Sequence, residues 1–175
     1  LRAELEKPGT FRTLWVFEPV MIPEGHERPD EDHPLVLAAK RRRNEFPSLE
    51  SFVERLRSKP PYSECEDDAV WGYATLGTQE TPTGVSLTCS GDTEARIYGT
   101  GTVTDFPALN SIKTPTAVVR GELVGTENEP PAAMAEPIAS HLGEGKLLKM
   151  DGLTHFGPME DGSRVGEAIL AHLLA

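Results

Sequence analysis

The stretch that decides the fold is Lys146-Leu-Leu-Lys-Met-Asp-Gly-Leu-Thr-His-Phe-Gly-Pro158. Its first five residues, Lys146–Met150, include three apolar side chains and end at a turn, and we interpret them as a buried strand. A loop carrying His155 follows, and then a helical pattern over 161–174 with acidic Glu160 and Asp161 at its start. This order predicts one unit of a parallel α/β sheet, with His155 on a loop at the carboxyl end of a strand.

Two earlier stretches carry the same strand signal, Phe11–Phe17 and Thr116–Arg120. A continuous apolar run of this length is typical of a strand buried on both faces of a parallel sheet. A helical pattern over Pro131–His141 follows the second run, and Pro137 inside it is expected to weaken or kink the helix. We therefore expect an α/β fold in which the three strands are parallel in one sheet.

The segment 34–105 contains no convincing buried strand. Short helical patterns replace it, over Pro34–Arg43, Ser48–Ser58, Glu66–Leu76 and Thr93–Tyr98. Ser48 is a candidate N-cap, but Ser51 stands where a capping box has Glu or Gln, so the box is predicted to be incomplete. A helical insert of this size is typical of a lid over a pocket. We therefore predict a core of 1–33 and 106–175 and a helical lid of 34–105 above the carboxyl ends of the strands.

Charge and cysteine content exclude several classes of function. The 175 residues carry 28 acidic and 17 basic side chains, for a formal net charge of −11. This balance argues against a nucleic-acid surface and against adhesion to an anionic membrane. The sequence has no long apolar run, so no transmembrane helix is expected, and no signal peptide is visible in it. Cys65 and Cys89 form neither a CxxC pair nor a zinc set, which favours a reduced cytoplasmic protein.

Three weaker signals have plain structural interpretations. The loop from His26 to His33 is rich in carboxylates, but its spacing fits no ligand set, so a solvated loop is favoured over a metal site. The cations of Lys40-Arg-Arg-Arg43 suit the end of a helix better than a nucleic-acid patch. Gly99-Thr-Gly101 lacks the third glycine of a dinucleotide fingerprint. Neither a metal nor a cofactor is therefore expected.

The candidate catalytic residues lie at the predicted carboxyl ends of the strands. His155 is placed as a general base that activates a hydroxyl or a water. Glu18, fixed by the following Pro19, ends the first strand, and Glu122 occupies the equivalent place after the second. Either carboxylate could orient the imidazole, and only one is needed. Two further acids on the second loop, Glu127 and Glu129, are weaker candidates.

Three blocks together resemble a known family: Lys7-Pro-Gly-Thr-Phe-Arg-Thr-Leu-Trp-Val-Phe-Glu-Pro-Val20, Pro115-Thr-Ala-Val-Val-Arg-Gly-Glu122 and Gly152-Leu-Thr-His-Phe-Gly-Pro-Met-Glu160. They look like the C-terminal portion of the α/β-hydrolase fold, and the resemblance covers nearly the whole chain. It implies that His155 is the catalytic base. Many members place an Asp a few residues after the second strand, where Val124 and Gly125 stand here. Other members, haloalkane dehalogenases among them, place the acid after the preceding strand, which matches Glu18. The resemblance therefore ranks Glu18 first and Glu122 second.

The nucleophile of that family is not found in this sequence. No Gly-x-Ser-x-Gly elbow occurs in the 175 residues. The chain opens on Leu1, and Leu1–Lys7 resembles the end of a helix, so we expect the C-terminal part of a longer enzyme. Its N-terminal part would complete the fold and supply the nucleophile. A serine would cleave an ester or a similar small apolar substrate, whereas an aspartate would open an epoxide or remove a halogen. The alternative is an inactive hydrolase-like protein that binds a ligand or partner.

Overall fold

The computed structural model describes residues 1–23, 29–100, 103–123 and 131–174. The chain divides into two compact units, one formed by Leu1–His26 with Val103–Ala175 and the other by Glu27–Thr102. The second unit overlaps most of the insert predicted over 34–105. The position of that insert relative to the sheet stays a prediction.

Elements are numbered along the chain. The first unit contains α1 (Arg2–Glu6), β1 (Leu14–Phe17), β2 (Ile22–Pro23), β6 (Val103–Thr104), a 3-10 turn (Pro107–Ser111), β7 (Thr116–Arg120), α6 (Pro131–His141), β8 (Gly145–Lys149), α7 (Gly157–Glu160) and α8 (Gly162–Leu173). The second contains α2 (Pro34–Lys40), β3 (Glu45–Phe46), α3 (Leu49–Arg57), a 3-10 turn (Tyr62–Glu64), α4 (Asp67–Leu76), β4 (Thr78–Thr81), β5 (Gly84–Leu87) and α5 (Gly91–Gly99). Within the described ranges, no helix has the length and apolar character that a membrane crossing requires.

The main sheet of the first unit has the order β1-β7-β8, and both pairings are parallel. Its register places Val16 beside Val118, and Val118 beside Leu147. The prediction of three parallel strands in one sheet is therefore confirmed. The first strand begins three residues later than expected, at Leu14, and the third is shifted by one residue.

Burial of the three strands differs from the expectation. All five residues of β7 are buried, whereas β1 is half-buried and three of the five residues of β8 are exposed. The prediction of a fully buried strand is thus correct for β7 and wrong for the other two. The reason is position, because β7 is the central strand and the other two have a paired neighbour on one side only among the described residues.

Alternate residues of β7 supply two separate cores. Val118 packs with Leu109, Ile112 and residues of α6 on one face of the sheet. Ala117 and Val119 pack with Leu153 and with Val165 of α8 on the other. Because side chains of a strand alternate between faces, a strand covered on both sides must be apolar throughout. The helix α6 runs unbroken over the position of Pro137.

A buried carboxylate ties α1 to the rest of the first unit. Glu4 is 3% exposed, and its Oε1 accepts hydrogen bonds from Thr114 Oγ1 at 2.7 Å and from the Gly9 amide at 2.6 Å. Its Oε2 accepts from the Phe11 amide at 3.1 Å. The hydrogen bond from Thr114, followed by that from Gly9, lowers the pKa of Glu4 below its ordinary value.

The second unit contains a small sheet in addition to its helices. The four predicted helices are present as α2, α3, α4 and α5, with ends shifted by a few residues. The strands β4 and β5 form an antiparallel hairpin, and β3 pairs with the other edge of β5. These three short strands were therefore missed from the sequence, in which no buried strand over 34–105 is convincing. The outer strand β4 reads Thr-Gln-Glu-Thr, which has no apolar residue and hence no strand signal in the sequence.

The start of α3 corrects a second expectation. The Ser51 amide donates to Ser48 Oγ at 3.2 Å, and the Ser48 amide donates to Ser51 Oγ at 3.2 Å. Both halves of a capping box are present. A serine hydroxyl at this position accepts the same hydrogen bond that a Glu or Gln side chain would accept, so the box predicted to be incomplete is formed.

We predict that Glu4→Gln lowers the free energy of unfolding at neutral pH. The variant retains the shape of the side chain but turns one acceptor oxygen into a donor that faces backbone amides. Because the pKa of Glu4 is lowered in the fold, its carboxylate contributes stability above the ordinary value of 4.5, and this is lost as the pH falls through the folded pKa. The stability gap between the two proteins should therefore narrow in acid, as measured by urea unfolding across pH. Glu6→Gln is the matched control, because the one ion pair of Glu6 among the described residues is an exposed pair with Arg2. A gap that is independent of pH would contradict this role.

Candidate active site

The first strand ends at Glu18, whose backbone conformation is unusual. Its amide donates to Val119 O at 2.7 Å, which continues the pairing of β1 with β7 by one residue. Its φ is 41°, and no other non-glycine residue in the described ranges has a positive φ. A left-handed backbone costs an ordinary residue about 1–2 kcal/mol. Such strain persists only where surrounding contacts hold it, and it is concentrated at functional sites.

The carboxylate of Glu18 is buried and both of its oxygens have partners. The side chain is 1% exposed. Its Oε1 accepts a hydrogen bond from the Gly121 amide at 2.8 Å, and its Oε2 lies 2.8 Å from His155 Nδ1. A carboxylate removed from water is tolerated when each oxygen is hydrogen-bonded. The two contacts therefore fix its orientation and join the ends of β1 and β7 to the histidine loop.

Glycine at position 121 is required by a close approach of two backbone segments. A Cβ atom placed on Gly121 would lie 2.3 Å from Leu153 O. The next residue, Glu122, donates its amide to that same carbonyl at 2.6 Å. The end of β7 thus contacts the histidine loop directly, and any side chain at position 121 would push the loop away from Glu18.

A second carboxylate holds the loop on both sides of His155. The Thr154 amide donates to Glu160 Oε2 at 2.7 Å, and the Thr154 hydroxyl donates to Glu160 Oε1. The Phe156 amide in turn donates to Thr154 Oγ1 at 3.1 Å. Both neighbours of His155 are therefore tied to Glu160, directly or through Thr154.

Sequence reasoning missed this role of Glu160. The residue was expected to support the start of the last helix, but Asp161 caps α8 by accepting from the Arg164 amide at 2.9 Å. Glu160 ends the short helix α7 and turns back to Thr154 instead. No motif links two residues six positions apart, so only the fold reveals their contact.

The imidazole of His155 has one engaged nitrogen and one exposed side. Its Nδ1 contacts Glu18, and 47% of the side chain is exposed. The ring lies nearly perpendicular to that of Phe156, with ring centroids 6.0 Å apart. When Nδ1 carries the proton that it shares with Glu18, Nε2 carries the lone pair. No described residue hydrogen-bonds to Nε2, so this arrangement can accept a proton from a group that approaches from outside.

The other candidate acids are not brought to the imidazole. Glu122 is exposed, and its carboxylate makes no hydrogen bond or ion pair with any residue in the described ranges. Glu127 and Glu129 lie outside the described residues, as do Val124 and Gly125 at the usual position of the family's acid. Of the two carboxylates ranked from the sequence, the structure joins Glu18 to His155.

The acidic loop of the weaker metal hypothesis lies partly outside the described residues, because His26 is not among them. His33 is described and forms the N-cap of α2, where its Nδ1 accepts from the Leu35 amide at 3.3 Å. A cap of this kind satisfies a helix amide that has no partner within the helix.

Sequence comparison identifies no relative. No protein-family model matches the chain. A comparison with curated proteins also found no match.

Solved structures, in contrast, match nearly the whole length of the chain. A peroxisomal α/β-hydrolase from Saccharomyces cerevisiae matches with a TM-score of 0.77 and 16% identity, over 97% of this chain and 49% of its own. E-2-(acetamidomethylene)succinate hydrolase matches with a TM-score of 0.70 and 19% identity, over 99% of this chain and 61% of its own. The thioesterase domain from the curacin biosynthetic pathway matches with a TM-score of 0.64 and 17% identity, over 97% of this chain and 61% of its own.

Structural matches at such low sequence identity establish the fold and leave the activity open. The chain spans 49–61% of the length of these three structures. Over that span, the predicted parallel α/β fold is confirmed, and the chain has the fold of the α/β hydrolases.

Proposed function

We propose that this chain supplies the histidine base and the orienting acid of an α/β hydrolase that cleaves an ester or a similar small apolar substrate. The single observation that carries the proposal is the 2.8 Å contact between His155 Nδ1 and the buried Glu18 carboxylate. An imidazole held by a carboxylate at one nitrogen and open at the other is the base of a nucleophile–histidine–acid triad.

The chemistry assigned to each residue follows from this geometry. Glu18 keeps the proton of the neutral imidazole on Nδ1, so that Nε2 can take the proton of an attacking hydroxyl. As the imidazolium forms, the adjacent carboxylate stabilises its charge, and burial strengthens that attraction because the local dielectric is low. The Gly121 amide holds the second oxygen of Glu18, which prevents the carboxylate from rotating away.

The nucleophile is proposed to come from a chain segment that precedes Leu1 in the complete protein. Support comes from the sequence, which contains no Gly-x-Ser-x-Gly elbow. The sheet also supports it, because β1 pairs with β7 on one edge only among the described strands. The other edge of β1 is therefore available to a further parallel strand, which would also cover its half-buried residues.

We predict that Glu18→Gln in the complete enzyme lowers kcat by orders of magnitude, up to about 10⁴-fold. Glutamine keeps the bond to Gly121 but presents an amide N–H to His155, which forces the proton onto the wrong imidazole nitrogen. Glu122→Gln is the matched control and should change kcat by less than about twofold, since its exposed carboxylate has no hydrogen bond or ion pair with a described residue. Turnover of a p-nitrophenyl ester measures both variants. The opposite ranking would move the role of the acid to Glu122.

We predict that residues 1–175 alone show no esterase activity above a His155→Ala control, because they contain no nucleophile elbow. The complete protein should turn over p-nitrophenyl esters and lose that activity in the same substitution. Activity of the 175-residue chain that disappears with His155→Ala would place the nucleophile within it and refute an upstream source. A folded complete protein that binds the ester without turnover would instead favour a binding function.

We predict that Glu160→Gln lowers kcat about tenfold to hundredfold and leaves KM nearly unchanged, because a displaced base slows the chemical step. Glutamine can accept only one of the two hydrogen bonds that Thr154 donates to Glu160. Glu167→Gln on the exposed face of α8 is the control. A loss of thermal stability with kcat intact would assign Glu160 a structural role only.

A further inference from the structure

The second unit contains a cavity of about 510 Å³. Its floor is formed by the buried side chains of Phe46, Phe52 and Leu56, and its rim includes the Pro60-Pro61 turn. A cavity of this volume lies within the range of small-molecule sites, which are largely apolar with a few polar groups at fixed positions.

The charge around this cavity is strongly unbalanced. The only carboxylate among its described lining residues is that of Glu94. Five cationic side chains also line it: Arg41, Arg42, Arg43, Arg55 and Lys59. The whole chain carries a formal net charge of −11. A positive concavity in an acidic protein concentrates field lines and attracts anions.

Both oxygens of the Glu94 carboxylate already have partners within the second unit. Its Oε2 lies 2.7 Å from Arg42 Nη1, and its Oε1 accepts from the Tyr98 hydroxyl at 3.2 Å. Arg42 also donates to the Tyr73 hydroxyl at 2.5 Å. Burial alone would lower the pKa of Arg42, but the hydrogen bonds to Tyr73 and Glu94 outweigh it and raise that pKa. Glu94 thus neutralises Arg42 and leaves four positive charges at the cavity.

None of those four cations forms an ion pair with a described residue. Arg43 is held in place, because its Nε donates to Glu45 O at 2.6 Å and its guanidinium lies 5.0 Å from the centroid of the Phe46 ring. Arg41, Arg55 and Lys59 are exposed and make no hydrogen bond through their side chains within the described ranges.

The helix dipole does not distinguish the cations that line the cavity from those that do not. Cations suit the last turn of a helix, and both Arg55 and Arg57 lie in the last turn of α3. Arg57, which does not line the cavity, pairs with Asp67. Arg55, which lines it, has no carboxylate partner among the described residues. Arg55, the arginine that lines the cavity, is therefore available to bind an anion from solution.

We propose that this cavity binds a small organic anion that carries a phosphate monoester on an apolar body. Guanidinium groups match the oxygens of a phosphate, and several of them together with an ammonium balance a dianion. The floor of Phe46, Phe52 and Leu56 contacts the apolar body. The site is independent of the proposed hydrolase chemistry, because all of its residues belong to the second unit.

Isothermal titration of the complete protein with phenyl phosphate tests the proposal, with inorganic phosphate and phenol as the two halves of the probe. Phenyl phosphate should bind more tightly than either half, and its affinity should fall as salt is added. Arg55→Gln and Lys59→Gln should each weaken it about tenfold, the loss expected for one charge-assisted hydrogen bond. Both side chains are exposed, so both variants should fold, and circular dichroism checks this.

Arg96→Gln is the matched control, since it removes an exposed cation of the same unit that does not line the cavity. It should change the affinity less than twofold, within the usual effect of one distant surface charge. If Arg96→Gln and Arg55→Gln weakened the affinity for phenyl phosphate equally, the binding would be non-specific attraction to positive charge, and the proposed site would be overturned. Absence of binding, or equal binding of phenol, would also overturn it. If inorganic phosphate bound as tightly as phenyl phosphate, the proposed contact of the apolar body with the cavity floor would be refuted.

Discussion

The contact of the buried Glu18 carboxylate with His155 and with the Gly121 amide is the interaction on which the site depends. It joins residues 137 positions apart in sequence and connects the ends of all three strands of the main sheet. A charge that is 1% exposed would be unstable in the interior without both partners. The fold must therefore bring the three strand ends together before the carboxylate can be buried.

The sheet provides the rigidity that this contact needs. The parallel register of β1, β7 and β8 places their carboxyl ends at one edge, and the cores on the two faces of β7 hold that edge in place. The short distances at Gly121 and the hydrogen bonds of Glu160 then restrict the histidine loop. Each constraint acts on backbone, so the imidazole is positioned by the chain around it as well as by its own contact with Glu18.

The parts of the fold and of the candidate site that could be predicted from the sequence are those whose pattern lies within one short stretch of residues. The strand β7 is five consecutive buried residues, and its bounds were predicted without error. His155 and Glu18 could be selected because each follows a strand, and strand ends meet at one edge of a parallel sheet. The polar strand β4 could not be found, because only its pairing with β5 makes it a strand. Glu160 and the cations of Lys40–Arg43 were assigned to helix ends, and Arg55 and Lys59 were not singled out, because the contacts at these positions are created by turns that bring distant residues together.

The short pairing of β2 with β6 has a consequence for how such proteins diversify. The two strands are parallel, with Ile22 beside Val103 and Pro23 beside Thr104, so they lie one strand spacing apart, about 4.8 Å. The chain between them can therefore change in length while this pairing is kept. Exchange of the insert by recombination would leave the register of β1, β7 and β8 unchanged. The two units can therefore change independently of each other in evolution.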